Sequence, residues 1–273
     1  MSNIPKYVFL SLNTVKIPFL LVPVTISHKS FRHPVILQHQ KPKDMKKTRV
    51  TALGDSLTKG VILNERNRYS VSDRCYMDLI GDELDIHIEN YGKFGCTISS
   101  CSNILERHAE EISSSDYTFI EYGGNDCDFD WMKIAESPLE THAPKTGLEV
   151  FSEQFCKLIQ QIRNLGSKPI IISLPPILSE TYFSFFSRNM SEEQKGNVIK
   201  WLGGDVGIIS RWHESYNRAL FMIAQQTQTQ IIDITTPFDT YRGGIGALYC
   251  TDGIHPNEKG HKLIAETIIN KYL

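Results

Sequence analysis

From Thr48 to the C-terminus, short apolar runs rich in β-branched residues alternate with stretches of helical period. This alternation constrains the fold more than any other feature. Val50 to Leu53, Ile86 to Asn90, Tyr117 to Tyr122, Lys168 to Leu174 and Gln230 to Ile234 have the length and composition of strands. Between and after them, apolar residues recur at three- and four-residue intervals. Ile98, Cys101, Leu105 and Ile112 form one such set, and Phe151, Phe155, Leu158, Ile162 and Leu165 a second. Trp212, Tyr216, Leu220 and Ile223 form a third, and Leu263, Ile264 and Ile268 the last. Ser70 with Asp73 resembles a capping box opening a further helix that carries Cys75, Leu79 and Ile80. Strands separated by helices return to the same edge of the sheet, so they run parallel with helices on both faces. No internal repeat or linker divides the chain after Met45, and residues 45–273 read as one domain.

Open α/β sheets place their chemistry beyond the carboxyl ends of the strands, and four strand ends here carry suitable residues. Val50 to Leu53 stops abruptly at Gly54-Asp55-Ser56. Ser56 either caps a helix or is a nucleophile, and only a base and an oxyanion site elsewhere decide between them. Asp252-Gly253-Ile254-His255-Pro256 offers the base. Pro256 favours an extended or turn conformation at His255, and Asp252, three residues earlier, can fold back onto the imidazole Nδ1 and leave Nε2 free. A surface turn or a metal site are the alternatives, the latter without a supporting cluster of His or Cys. Gly95, after the second strand, can bring a backbone N–H to a ligand with no side chain in the way. Asn125, after the third, can offer an amide N–H. Asp55 and Asp126 read as structural.

Taken together, these stretches resemble the four blocks of the SGNH (GDSL-type) hydrolase superfamily, in order: Gly54-Asp55-Ser56-Leu57, Gly95, Gly123-Gly124-Asn125-Asp126 and Asp252 to Pro256. The resemblance covers about residues 48–273. It implies a flavodoxin-like α/β/α sandwich with five parallel strands in the order 2-1-3-4-5, and an esterase or lipase activity that uses no metal and no cofactor. It also implies Ser56 as nucleophile, His255 as base and Asp252 as its orienting acid. The oxyanion site would be built from the N–H groups of Ser56 and Gly95 with the Asn125 side chain. The expected reaction is hydrolysis of a carboxylic ester through an acyl-enzyme, with small-acyl esters such as O-acetylated carbohydrates ahead of lysophospholipids or acyl-thioesters. A non-catalytic ligand-binding protein on the same fold is the reading from another class.

Residues 177–211 are an insertion relative to the blocks. The run from Pro175 to Arg211 far exceeds the usual βα loop of about 2–6 residues, and it contains a helix capped by Ser191 and Gln194 and stopped by Gly203-Gly204. Its aromatics Phe183, Phe185, Phe186 and Trp201 either line the substrate pocket or pack the insertion onto the body.

Composition narrows the partners. With 41% apolar and 22% charged residues and a net charge of −2, the chain reads as soluble and globular, with no electrostatic argument for nucleic acid. Its six cysteines form no close pair, which fits reduced thiols and a cytoplasmic setting. Residues 1–44 differ, with six Lys and Arg against the single acid Asp44. Their most apolar stretch, Ile17 to Ile26, is broken by Pro18 and Pro23, short of the ~20 apolar residues a spanning helix needs. They also lack the clear centre and cleavage site of a secretory leader. These residues read as an unpacked extension.

Overall fold

A computed structural model describes residues 48–64 and 66–272; the extension at 1–44 lies outside the described residues. The strands are β1 (Arg49–Gly54), β2 (Val61–Leu63), β3 (Tyr69–Val71), β4 (His87–Asn90), β5 (Tyr117–Glu121), β6 (Lys168–Ile172) and β7 (Gln230–Ile232). Five of them form one sheet in the order β4-β1-β5-β6-β7, every pair parallel. Counted among themselves along the chain, these five have the order 2-1-3-4-5 that the resemblance implies. β1 is flanked by β4 on one side and β5 on the other. The chain therefore leaves β1 first to one side and later to the other, which opens a crevice at the carboxyl end of β1.

The helices are α1 (Ser56–Lys59), α2 (Tyr76–Leu84), α3 (Ile98–Arg107), α4 (Ala109–Ser113), α5 (Trp131–Glu136), α6 (Leu148–Asn164), α7 (Ser179–Phe186), α8 (Glu192–Trp201), α9 (Ile208–Thr227), α10 (Thr235–Asp239) and α11 (Glu258–Tyr272). Strand residues alternate between the two faces, as their period of two requires. Leu53, Ile120 and Ile171 pack in a core with Cys101, Phe155, Ile162 and Leu220 from α3, α6 and α9. Their neighbours Ala52, Phe119, Ile170 and Ile172 pack in the opposite core with Met77, Ile80, Phe238 and Ile264 from α2, α10 and α11. The result is a three-layer α/β/α sandwich.

Two local expectations are corrected. Ser70 does not cap a helix. It lies in β3, whose antiparallel pairing with β2 sets Ile62 opposite Ser70 and Leu63 opposite Tyr69. The hairpin holds the chain extended past this point, and α2 opens only after Cys75, whose N–H donates to Asp78 Oδ2 at 2.8 Å. The helical pattern from Ile98 to Ile112 is likewise not one helix: His108 breaks it, ending α3 and starting α4.

The insertion carries two helices, α7 and α8, rather than one. The capping box of α8 is the one read from sequence: Gln194 N–H donates to Ser191 Oγ at 3.2 Å and Ser191 N–H to Gln194 Oε1 at 2.9 Å. With α5 it forms a third, smaller core of Trp131, Ile134, Val198, Trp201 and Leu202.

Candidate active site

Ser56 is the first residue of α1, directly beyond the end of β1. The Asp55 carboxylate caps this short helix, with Oδ1 accepting the Leu57 N–H at 2.9 Å. The strand is locked between two neighbours and the helix is pinned at its first turn, so the serine hydroxyl is held at the crevice on a rigid support.

The other half of the site comes from the segment before α11. Asp252 Oδ1 accepts the N–H groups of Ile254 and His255, both at 3.1 Å, which curls the loop around the carboxylate. The same carboxylate reaches His255 Nδ1 through Oδ2 at 2.7 Å. Cys250 N–H donates to His255 O at 2.8 Å and Tyr249 pairs with Pro256, so the loop closes on itself. His255 Nε2 then stands 2.9 Å from Ser56 Oγ, across 199 residues of sequence. With Nδ1–H donating to a carboxylate, the partners assign Nε2 as the acceptor for the serine proton. Asp252 is fully buried and His255 is 5% exposed. Burial by itself would raise the Asp252 pKa, but hydrogen bonds from His255 and Ile254 and the charge of His255 outweigh it and hold the carboxyl below its usual value.

The two loops read as oxyanion donors converge on the same place. Beyond β4 the chain continues alongside β1, with Tyr91 N–H donating to Ala52 O at 2.9 Å and Lys93 N–H to Gly54 O at 3.0 Å. Two residues on, Gly95 has a φ of +71°, a conformation in which a side chain is strained. A Cβ there would meet no atom within 4 Å, so conformation and not crowding calls for glycine. Asn125 donates through Nδ2 to Asp55 Oδ2 at 2.9 Å. One of its two amide N–H groups is thereby fixed and the other is left to point elsewhere. Asp126 braces the Asn125 loop against α3, accepting the Ile98 N–H at 3.1 Å through Oδ1.

Two aromatic rings border His255, and a third extends the rim. Tyr69 lies edge-on to the imidazole at 5.2 Å and Phe94 is parallel to it at 6.3 Å. Phe185 reaches Tyr69 at 6.3 Å, and the Arg188 guanidinium lies 4.0 Å from the Phe185 ring centroid. Tyr69 and Phe94 were not picked out from sequence. The available signal was an aromatic side chain placed between Lys93 and Gly95, in a turn that has no core to fill. Of the four insertion aromatics, Phe185 alone stands in this rim. Phe186 stacks on Trp131 at 4.6 Å, Phe183 packs edge-on against Phe186, and Trp201 is 9% exposed in the third core. Phe186 also lines an open cleft of about 650 Å³ with Phe129, Trp131, Met132, Lys145 and Met190. Neither Ser56 nor His255 borders that cleft. Among the described residues no group of three His, Cys, Asp or Glu side chains is arranged to hold a metal ion.

The model of the GDSL-like lipase/acylhydrolase family matches residues 52–263. An uncharacterized lipoprotein of Bacillus subtilis, YqeF, is 23% identical over 237 residues, covering 80% of this chain and 87% of its own. Among solved structures, a lipase/acylhydrolase from Enterococcus faecalis superposes with a TM-score of 0.58 at 19% identity, covering 82% of this chain and 94% of that one. An acetylxylan esterase from Geobacillus stearothermophilus superposes with a TM-score of 0.53 at 19% identity, covering 82% and 93%.

Proposed function

The chain belongs to the GDSL-like lipase/acylhydrolase family and is a carboxylic ester hydrolase, and from that premise we propose that it works through a serine nucleophile and an acyl-enzyme. The observation that carries this reading is the continuous line of contacts from Asp252 Oδ2 to His255 Nδ1 at 2.7 Å and from His255 Nε2 to Ser56 Oγ at 2.9 Å. Ser56 Oγ attacks the ester carbonyl while His255 accepts its proton. The ionised Asp252 stabilises the imidazolium and holds its orientation. The oxyanion that forms is met by the backbone N–H groups of Ser56 and Gly95 and by the second N–H of Asn125. His255 then returns the proton to the departing alcohol, and water, deprotonated by the same imidazole, releases the acid.

The substrate we favour is a small-acyl ester on a carbohydrate. Tyr69 and Phe94 are half-exposed rings beside the imidazole, as a sugar-stacking rim requires. The fold likeness to an acetylxylan esterase is consistent with this choice. A second reading rests on Arg188, whose guanidinium is held over Phe185 and donates to Phe185 O at 2.6 Å. A cation beside the Phe185 and Tyr69 rings of this rim fits an alcohol that carries phosphate, as in a lysophospholipid. We also infer a cytoplasmic setting from the six free cysteines; the name of the Bacillus relative points instead to a lipoprotein, and cell fractionation separates the two.

The test is a substrate panel: p-nitrophenyl esters of increasing acyl length, acetylated xylo-oligosaccharides and a lysophospholipid. The proposal expects the highest kcat/KM on the acetylated oligosaccharide, while preference for the lysophospholipid selects the Arg188 reading. A chain that binds these compounds and hydrolyses none would be a ligand-binding protein on a hydrolase fold.

A further inference from the structure

Beneath the Ser56 turn runs a line of buried polar side chains that the reaction proposed above does not use. Tyr76 Oη lies 2.9 Å from Thr58 Oγ1, and Thr58 Oγ1 donates to Glu121 Oε2 at 3.0 Å. The carboxyl groups of Glu121 and Asp55 lie within hydrogen-bonding reach of each other, and Asp55 in turn accepts the Asn125 amide at 2.9 Å. Glu121 is 2% exposed and Asp55 4%. The backbone brings them together: β1 and β5 pair in register with Gly54 opposite Glu121. Gly54 permits this approach, since a Cβ there would come within 2.1 Å of Thr58 Oγ1 and 2.9 Å of Glu121 O.

Two carboxyl groups in direct contact and out of water cannot both be ionised, and one proton must lie between them. The remaining partners decide which carries the charge. Asp55 receives two further N–H donors, from Leu57 and Asn125. Glu121 receives one hydroxyl, from Thr58, and one N–H, from the Asp55 backbone. Donors are equal in number, but His255 faces Asp55 and not Glu121, so the charge rests on Asp55. We propose that Glu121 is a protonated carboxylic acid whose O–H donates to Asp55, and that it thereby fixes the carboxylate that orients the Asn125 amide toward the oxyanion. Glu121 is then a positioning residue, acting through Asp55 and Asn125 without touching substrate. The part of this inference that concerns Asn125 rests on the serine-hydrolase reading; the location of the proton does not.

The surroundings agree. Burial is the main cause that pushes the Glu121 carboxyl well above its usual value, and the Asp55 charge adds to it. The other titratable groups that act on the pair are Tyr76, Tyr122, Cys96, Asp126, Cys127 and His255. Of these only His255 can supply a positive charge, and it acts on Asp55, favouring the ionised form there.

The full chain and its Glu121→Gln and Glu121→Ala variants test the assignment. Glutamine reproduces the protonated acid, with an N–H to give Asp55 and a carbonyl to accept from Thr58, whereas alanine leaves Asp55 without that donor. On p-nitrophenyl acetate, Glu121→Gln is expected to keep kcat within about 3-fold of wild type. Glu121→Ala is expected to lose about 10- to 100-fold in kcat with KM little changed, a share of the loss that follows removal of an oxyanion donor. Infrared difference spectra at pH 8, wild type minus Glu121→Gln, are expected to contain the carbonyl stretch of a protonated carboxylic acid. Absence of that band overturns the proposal, as does a folded Glu121→Gln protein that is as slow as Glu121→Ala. The infrared arm reads the proton whether or not an ester is turned over and whether or not the alanine variant folds. Failure of the serine-hydrolase reading, seen as absent turnover in the wild type, is therefore told apart from failure of this one.

Discussion

At the scale of single residues, the contact between Ser56 and His255 depends on two short backbone devices, a one-turn helix capped by Asp55 and a loop curled around Asp252. Each holds one of the two side chains at the crevice, and neither Ser56 nor His255 belongs to a hydrophobic core. Replacing Ser56 or His255 by alanine is therefore expected to lower ester turnover by several orders of magnitude with the melting temperature nearly unchanged. Asp252→Ala should cost less than either, and Asn125→Ala about 100- to 1,000-fold. Steady-state kinetics with a melting curve for each variant checks this, and loss of activity that merely tracks loss of folding would count against it. The meeting of Ser56, His255 and Asp252 was legible because a nucleophile–base pair at a strand end needs only short local signals: a Gly-Asp-Ser turn, an Asp three residues before a His-Pro. The Asp55–Glu121 contact was not legible. Sixty-six residues separate its members, and nothing in either segment announces that the register of β1 and β5 sets them side by side.

At the scale of elements, legibility follows strand and helix length. Helix α8 declares its own cap through Ser191 and Gln194, so it could be read locally. The β2–β3 hairpin could not: two three-residue strands are too short to establish a period, and their pairing with each other overrides the capping signal of Ser70. That hairpin supplies Tyr69, which is why part of the rim around His255 was missed. In the insertion, the structure separates roles that sequence left together. Trp201 belongs to the third core and Phe185 to the rim beside Tyr69. Trp201→Ala is expected to cost about 3–5 kcal/mol of stability, read by urea unfolding, with little change in the ratio of kcat/KM between acetate and octanoate esters. Phe185→Ala is expected to change that ratio with little change in stability. The opposite pattern would place the substrate against α8.

At the scale of the whole molecule, the parallel sheet with helices on both faces follows from the alternation of strands and helices, its strand order is the one the family resemblance implies, and the two faces of the sheet sort their apolar residues as the strand period requires. The polar residues buried in the process have a consequence. His213 on α9 is held in an apolar environment that lowers its pKa to about 4, below the ~6.5 of an unfolded chain. The unfolded state thus binds a proton that the folded state refuses between those values. The stability this group contributes is fully present above about pH 6.5 and is lost as pH falls toward 4. His213→Leu removes the liability. Between pH 7 and pH 4 the wild type should lose up to about 3 kcal/mol more than the variant, measured by urea unfolding at each pH. Comparison with the variant is needed because Asp126, whose burial raises its pKa to about 6, shifts the wild-type curve in the opposite direction over the same range. Parallel curves for the two proteins would show that His213 is protonated in the folded state.

The central claim is that Ser56 is acylated. The most direct measurement is intact-mass and peptide mass spectrometry after treatment with a fluorophosphonate, with the wild type and Ser56→Ala side by side. The account predicts one adduct per chain, on the peptide containing Ser56, and none on the alanine variant. Adduct formation of equal extent in both proteins, or ester turnover by Ser56→Ala at the wild-type rate, would contradict it.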